Sequence, residues 1–307
     1  MPFHVRDPWR VQYFKDIPCP DHVNIPIDDI DCWEWYPEFR TVYDKLHVAE
    51  SLRVPCGTAE NMPVHFPVFA KPRINLKGMG LDSRIIRNEE EFRTHMTSGM
   101  MWMELFFGPH VSTDCAVVKG NVAWIRHATG VTWTEGMFKH WIIHAEDDRI
   151  LTRHISEWIA HELRRYTGMV NLETIGGRII EAQIRFADQW CDIYGKPWLE
   201  AVVELYEHGR WPLADEDRKV GYSVPLFARH GTVPRYPSAK RQAAIRAILD
   251  VSSLQITFHE AKSGGDHPMP PGGFRLGLVN SWDLEAGFAA RRELAKAFKG
   301  VEVMLPE

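Results

Sequence analysis

The chain has 307 residues, of which 45% are apolar and 25% are charged, as is usual for a soluble globular protein. A formal net charge of −5 at pH 7, without any basic block, argues against nucleic acid as a partner. No apolar run approaches the length of a membrane span and the N-terminus lacks an apolar signal core, so we expect a cytoplasmic protein without a membrane partner.

The first elements are a short leading segment, a helix and a strand that carries a lysine. Residues 1–36 are rich in proline, aspartate and aromatic residues, and they are too few for a nucleotide-binding domain. After Pro37, apolar residues at helical spacing predict a helix over residues 42–52. The apolar segment FPVFAKP, residues 66–72, predicts a strand with Lys71 near its end.

The loop after this strand, NLKGMG, contains Gly78 and Gly80. Backbone N–H groups of such a loop can approach phosphate oxygens closely, because glycine has no side chain. The loop matches neither GxxxxGK[ST] nor GxGxxG, and Lys71 alone also fits a lysine whose amine reaches solvent at a strand end. Together they favour phosphate contact, and we expect residues 74–82 to move when a nucleotide binds.

The middle of the chain predicts a helix, a strand, a hairpin and a second helix. Asn88 is a cap for the first helix, and the apolar segment MMWMELFF, residues 100–107, predicts the strand. The hairpin turns around residues 119–121. The second helix is expected to begin near Thr152, as its cap, and to stop at Gly168.

Residues 168–185, GMVNLETIGGRIIEAQIR, predict two strands joined by a tight turn at Gly176-Gly177. Polar residues recur at period two and share one face if the register allows: Asn171, Glu173, Glu181, Gln183 and Arg185. Carboxylates, amides and an arginine on one face suit hard cations and a polyphosphate better than a core. A solvated sheet face is the alternative interpretation.

The remainder of the chain predicts further helices and strands. A helix opens at Pro197, and others are expected over residues 240–249 and 284–298. Strands are expected over residues 222–229, 254–260 and 274–280. Gly264-Gly265 and residues 268–273 form either a flap over the substrate or an ordinary loop.

Two other kinds of site are disfavoured by the sequence. His140 and His144 have the spacing of zinc ligands on a helix, but their apolar neighbours favour a strand, and no nearby residue completes a ligand set. The five cysteines include no C-x-x-C pair, so neither a zinc site nor a disulfide framework is expected. Gly221-Tyr222-Ser223 lacks the final glycine of a serine hydrolase motif.

The order of these motifs resembles the ATP-grasp superfamily over roughly residues 37–190. The segments that carry the resemblance are FPVFAKP with KGMG, MELFFGPHVSTDCAVVKGNV, and MVNLETIGGRIIEAQIR. The resemblance implies an α+β fold in which two α+β lobes clamp ATP. It divides the chain into a shortened N-terminal segment (1–36), a small lobe (37–100) and a large lobe with a C-terminal extension (101–307).

The resemblance also implies roles for individual residues. Lys71 and Lys45 would contact phosphates, and Gly78 and Gly80 would lie in the loop that closes over them. The linker strand with Met103, Glu104 and Phe107 would read the adenine through its backbone, with His110 near the nucleotide. Mg²⁺ would be held by Asn171, Glu181 and Gln183, while Lys71 and Arg185 would serve catalysis.

The chain departs from the family pattern at three places. Gln183 stands where members usually carry asparagine, and its longer arm leaves one metal position open to question. Ile184 stands where proline often precedes the arginine. Only about 36 residues precede Pro37, where many members have a domain of about a hundred residues that helps bind substrate, so the substrate does not follow from the resemblance.

The resemblance implies an ATP- and Mg²⁺-dependent ligase that activates a carboxylate as an acyl phosphate for attack by an amine or thiol. A small-molecule kinase and a nucleotide-binding protein without turnover are the alternatives, and Gln183 keeps the latter open. The expected partners are small-molecule carboxylates and amines or thiols. A homo-oligomer is compatible with the sequence, which does not determine the oligomeric state.

Overall fold

The chain folds into two antiparallel β-sheets with helices packed on them. The computed structural model describes residues 13–78, 80–134, 136–257 and 269–306. The smaller sheet contains β1 (Cys56–Thr58), β2 (Val68–Pro72), β3 (Arg84–Ile86) and β4 (Met100–Glu104). The larger sheet contains β5 (His110–Val118), β6 (Asn121–Thr132), β7 (Phe138–Ile143), β8 (Gly168–Ile175), β9 (Arg178–Gln183), β10 (Gly221–Ala228), β11 (Val251–Ile256), β12 (Phe274–Ser281) and β13 (Val303–Met304).

Eight α-helices and a 3-10 helix of seven residues accompany these strands in the described ranges. They are α1 (Asp29–Trp35), the 3-10 helix Pro37–Tyr43, α2 (Lys45–Ser51), α3 (Glu89–His95), α4 (Arg149–Glu162), α5 (Cys191–Tyr194), α6 (Lys196–His208), α7 (Ala239–Arg246) and α8 (Leu284–Ala297). No helix in the described part of the chain is long and apolar enough to cross a bilayer.

The strand order explains how one face of the larger sheet becomes a binding surface. The smaller sheet has the order β1-β4-β2-β3, and the larger has β11-β12-β10-β7-β6-β5-β8-β9, with β13 beside β10. In β5 and β8, Cys115, Val117, Val170 and Leu172 belong to the core that includes residues of α4. Alternation places Ala116 and Met169 on the opposite face, in the core formed with α6. The polar residues of β5 and β8 continue along this second face, beyond the core.

The smaller sheet is fixed to the larger one by a shared apolar cluster. Its one face packs against α3 through Val68, Ala70 and Phe92. Met101 and Met103 belong to another cluster, which also includes Ala49 of α2 and Ile180 of β9. This cluster holds β2 and β4 opposite the β8–β9 hairpin. The mixed helix and sheet architecture confirms the predicted α+β class.

Several local predictions are confirmed and others are corrected. The β8–β9 hairpin turns at Gly176 and Gly177, whose φ values of 57° and 79° are left-handed as expected. The helix expected over residues 42–52 is split, because the Asp44 side chain accepts a hydrogen bond from the Leu46 N–H and caps α2 after the 3-10 helix. Asp148 caps α4 instead of Thr152, since its carboxylate accepts from two backbone N–H groups, at 2.9 and 3.0 Å.

The other differences concern element ends. Helix α4 ends at Glu162, and Gly168 is the first residue of β8 rather than the stop of the helix. The strand expected over residues 100–107 ends at Glu104. Of the predicted flap or loop, Gly264, Gly265 and Pro268 lie outside the described residues, as do residues 258–260 of the strand expected over residues 254–260.

Candidate active site

A cleft of about 1240 Å³ lies between the smaller sheet and the polar face of the larger sheet. All of the predicted site residues except Phe107 line it: Lys45, Lys71, Gly78, Gly80, Met103, Glu104, His110, Asn171, Glu181, Gln183 and Arg185. Phe107, three residues beyond the end of β4, is 79% exposed and does not line the cleft. Leu105 and Phe106 line the cleft beside Met103 and Glu104.

Two buried lysines approach β9 from the smaller sheet and from α2. The Lys71 ammonium group, on β2, donates a hydrogen bond to the Ile180 carbonyl oxygen at 2.7 Å. Burial disfavours its charged form and lowers the pKa of Lys71 to about 8. Lys45, the first residue of α2, places its Nζ 3.1 Å from Glu181 Oε1. Two cations are thus held in a cleft where a polyphosphate would supply the opposite charge.

The predicted metal-side residues form one patch across β8 and β9. Glu173 pairs with Glu181 and Asn171 pairs with Gln183 in the strand register, so these four side chains share a face. The Asn171 amide nitrogen donates to Ser112 Oγ at 2.9 Å, which leaves its carbonyl oxygen as the atom for a ligand. Gln183 Nε2 donates to Glu181 Oε1 at 3.2 Å. Carboxylate and amide oxygens are the donors that Mg²⁺ accepts.

A histidine and a glutamate interact at the edge of this patch. His110 Nε2 lies 3.1 Å from Glu173 Oε2. Burial disfavours protonation of the histidine, but its hydrogen bond to Glu173 and the charge of Glu173 outweigh burial and raise the pKa of His110. Burial likewise disfavours the Glu173 carboxylate, yet His110 lowers the pKa of Glu173. The ion pair keeps both groups charged over a wider pH range than either would have alone.

Arg185 is held by a residue that the sequence interpretation did not identify, Asp29 of α1. Arg185 Nε and Nη2 donate to the two carboxylate oxygens of Asp29 at 2.8 and 3.2 Å. Asp29 is 4% exposed, and burial raises the pKa of its carboxyl despite the opposing charge of Arg185. An Asp-Asp pair before a helix is usually a cap, and Asp28 does cap α1. Nothing in the sequence around Asp29 marks it as the partner of an arginine 156 positions away.

Asp114 is the other buried group that the sequence interpretation missed. Its Oδ1 accepts from Asn171 Nδ2 and from the Ala187 N–H, both at 2.8 Å, and its Oδ2 accepts from the Tyr194 hydroxyl at 2.8 Å. Burial raises the pKa of Asp114 to about 6. Ser112 and Asp114 lie two residues apart in β5 and so share a face, opposite Val111, Cys115 and Val117, which was a usable signal for a polar face. Through Asn171, Asp114 fixes the amide that faces the cleft.

The predicted phosphate loop is organised by one asparagine. Asn75 Oδ1 accepts from the N–H groups of Lys77 and Gly78 at 3.0 and 3.1 Å, and its amide donates to the Gly78 carbonyl oxygen at 2.9 Å. Gly78 and Gly80 have φ values of 68° and 63°, and no atom lies within 4 Å of a Cβ built on either one. Met79 lies outside the described residues. The loop therefore borders the cleft with open space around its glycines.

The two histidines with zinc-ligand spacing belong to a strand and to the residue that follows it. His140 and His144 lie on and beside β7, and His144 Nε2 is bonded to Thr129 Oγ1 at 2.7 Å. Among the described residues, the grouping with metal-ligand geometry is Glu204, Glu207 and His208 of α6, which includes neither histidine.

No protein-family model and no curated protein matches the sequence, but solved structures match the fold. The L-amino acid ligase from Bacillus licheniformis has a TM-score of 0.59 at 12% identity, over 87% of this chain and 74% of that chain. The N5-carboxyaminoimidazole ribonucleotide synthetase from Thermus thermophilus has a TM-score of 0.58 at 16% identity, over 90% and 75%. The biotin carboxylase domain of the Hydrogenobacter thermophilus 2-oxoglutarate carboxylase, in complex with MgADP, ADP and bicarbonate, has a TM-score of 0.59 at 14% identity, over 87% and 68%.

These three neighbours are ATP-grasp enzymes. Their identities to this chain are low, so the similarity establishes architecture and leaves the reaction to be argued from the site. The chain has the ATP-grasp fold, as its sequence motifs indicated.

Proposed function

We propose that the protein is an ATP- and Mg²⁺-dependent ligase that activates a carboxylate as an acyl phosphate for attack by an amine or thiol. One observation carries the proposal: two buried lysines and a patch of carboxylate and amide oxygens face each other across a single cleft. Lysines suit phosphates and the oxygen patch suits the accompanying cation. Neighbours of the same fold are described with MgADP, with ATP and with bicarbonate.

In this proposal the cleft residues divide the work of binding the nucleotide. Lys45 and Lys71 hold the phosphates, and the backbone of Met103 to Phe106 lies against the base. Glu181 and Asn171 provide oxygen ligands for the cation, and Gln183 and Glu173 lie beside them on the same face. Bound Mg²⁺ would neutralise phosphate charge and make the terminal phosphorus a better electrophile.

The proposed reaction has two steps. A substrate carboxylate oxygen forms a bond to the γ-phosphorus while the bond to the ADP oxygen breaks. The amine or thiol then bonds to the acyl carbon, phosphate leaves with the C–O electron pair, and the nucleophile releases a proton. The Arg185 guanidinium, held by Asp29, stabilises the charge on the phosphoryl group in transfer.

The test is ADP release across a matrix of carboxylic acids and amines, with Glu181→Gln as the site variant. Glu157→Gln is the matched control, because Glu157 is an exposed residue of α4 that does not line the cleft. We expect acid-dependent ADP release that is lost in Glu181→Gln and kept in Glu157→Gln. Phosphate release only when an amine is present identifies a ligase, whereas a phosphorylated product without an amine identifies a kinase. Binding of ATP without ADP release from any acid would contradict catalysis.

A further inference from the structure

The cleft is larger than one ligand of ordinary size requires. Its volume is about 1240 Å³, whereas pockets for one drug-sized ligand span about 300–1,000 Å³. The proposed phosphate and metal contacts use the part formed by α2, β2, β8 and β9. Another part is formed by the segment after β6 together with β7, β10 and β12, and none of its residues takes part in those contacts. This second part has room for another ligand.

Aromatic side chains form a wall of this second part, which we call the aromatic subsite, lined by Trp133, Phe138, Trp141 and Phe227. The Phe138 and Trp141 ring centroids lie 4.3 Å apart, and those of Trp141 and Trp190 lie 5.2 Å apart. Trp133 and Phe138 are half-buried, so their rings retain surface for a ligand, while Trp141 is buried. A packed aromatic wall of this kind favours a flat apolar group.

The polar atoms behind this wall are already used within the protein. Trp190 Nε1 donates to the Tyr194 hydroxyl at 2.7 Å, and Tyr194 donates to Asp114. Trp190, whose ring packs against Trp141, is therefore fixed by a hydrogen bond to a buried tyrosine. A ligand would meet a preformed apolar surface, which lowers the ordering cost of binding.

One buried cation accompanies the aromatic residues. Arg275 of β12 is 8% exposed, lines the cleft, and is paired in register with Phe227 of β10. Paired residues of antiparallel strands share a face, so both side chains belong to the same side of the sheet. A guanidinium has five N–H donors in a planar fork, and it can bind a carboxylate in addition to another contact.

We propose that the aromatic subsite binds an aromatic carboxylate, with its ring against Trp133 and Phe138 and its carboxylate on Arg275. This inference rests on the proposed function, because it supplies the second ligand of the same cleft. An aromatic amino acid and an arylalkanoic acid share this chemistry. The former carries an amine that can act as the nucleophile, whereas the latter can only be the acid that is activated.

The experiment measures direct binding by calorimetry, with and without ATP and Mg²⁺. The probes are phenylalanine, 3-phenylpropionate, butyrate, which lacks the ring, and phenethylamine, which lacks the carboxylate. We expect phenylalanine or 3-phenylpropionate to bind at least tenfold more tightly than butyrate and phenethylamine. Arg275→Met should weaken that binding at least tenfold, and Arg275→Lys should restore part of it. Arg229→Met is the control, since Arg229 is an exposed arginine paired with Glu302.

The outcomes separate this inference from the proposed function. If Arg275→Met does not fold, Phe138→Leu, at a half-buried position, must weaken binding of the aromatic probe more than binding of butyrate. If phenylalanine binds more tightly than 3-phenylpropionate, the ligand is an aromatic amino acid. If 3-phenylpropionate binds more tightly, the ligand is an arylalkanoic acid. Equal binding of all probes, or binding that is insensitive to Arg275 and Phe138, overturns the aromatic subsite even when ATP binds. If the protein binds the aromatic carboxylate selectively but does not bind ATP, the aromatic subsite is supported and the proposed ligase function is refuted.

Discussion

Replacing Lys71 with methionine should stabilise the nucleotide-free protein and weaken nucleotide binding. Lys71 is 4% exposed, and its ammonium group has the Ile180 carbonyl as a partner at 2.7 Å. If Lys71 contributed to folding alone, its replacement should lower the free energy of unfolding. If Lys71 instead serves to bind an anion, it should destabilise the ligand-free protein, because burial of its charge costs free energy.

The magnitude follows from the pKa of Lys71, which burial lowers from the ordinary value of 10.5 to about 8. At about 1.4 kcal/mol per pH unit, this difference corresponds to a penalty of about 3 kcal/mol for the charged lysine at pH 7. Methionine removes the charge but forfeits a hydrogen bond that contributes about 1 kcal/mol. The expected net gain in the free energy of unfolding is therefore about 2 kcal/mol.

The pH dependence of stability separates this cause from better packing. Below pH 8 both the folded and the unfolded protein carry a protonated Lys71, so the whole penalty is present. Between pH 8 and 10.5 the unfolded chain binds the extra proton, so the stability of the parent protein rises with pH. The advantage of Lys71→Met should then shrink by about 2 kcal/mol between pH 7 and about 9.5.

Urea unfolding at several pH values measures this effect, and a thermal shift with ATP and Mg²⁺ measures binding. Lys77→Met is the matched control, because Lys77 borders the same cleft and is exposed. The free energy of unfolding of Lys77→Met should differ from that of the parent protein by no more than about 0.5 kcal/mol. A Lys71→Met protein that is less stable than the parent at pH 7, with an unchanged pH dependence, would refute the reasoning.

Three other measurements test the same cleft. Asp29→Ala should lower turnover by about tenfold or more with little effect on ATP affinity, and should add little to Arg185→Ala, because the two residues act as one unit. Arg185→Ala should lower turnover by about 10²–10³-fold. Glu181→Ala should weaken both Mg²⁺-dependent nucleotide binding and turnover. If both variants fold and have the kinetics of the parent protein, residues 168–185 are not part of the active site. Hydrogen exchange in residues 74–82 should slow when ATP and Mg²⁺ are added, and an unchanged rate would contradict loop closure.

The hairpin at residues 168–185 could be predicted because its signals are local. Gly176 and Gly177 specify the turn, and period-two alternation places Glu181 and Gln183 on one face of β9. Only the register was open, and the structure pairs Asn171 with Gln183 and Glu173 with Glu181. A turn of fixed geometry permits few strand registers, so the local sequence was enough to predict which side chains of the hairpin share a face.

The missed parts depend on contacts between distant positions. Asp29 and Arg185 are 156 residues apart, and no periodicity in either segment refers to the other. Asp114 was visible as a charged residue in a predicted strand, but its partners Asn171 and Tyr194 lie 57 and 80 positions away. The prediction for Phe107, which does not line the cleft, failed because of a local pattern rather than a distant contact. An apolar run was extended past Glu104, where the strand has already ended.

On the proposed function, the charges in the cleft would favour a metal nucleotide over a free anion or a free cation. Lys45 is paired with Glu181, His110 with Glu173, and Arg185 with Asp29. A phosphate that binds Lys45 would leave the partly buried Glu181 carboxylate without its cation, and a metal that binds Glu181 would leave the buried Lys45 without its anion. Each exchange alone would cost the free energy of leaving a largely buried charge unpaired. Phosphate and Mg²⁺ arriving together would restore both partners, so the Lys45–Glu181 pair would make their binding cooperative.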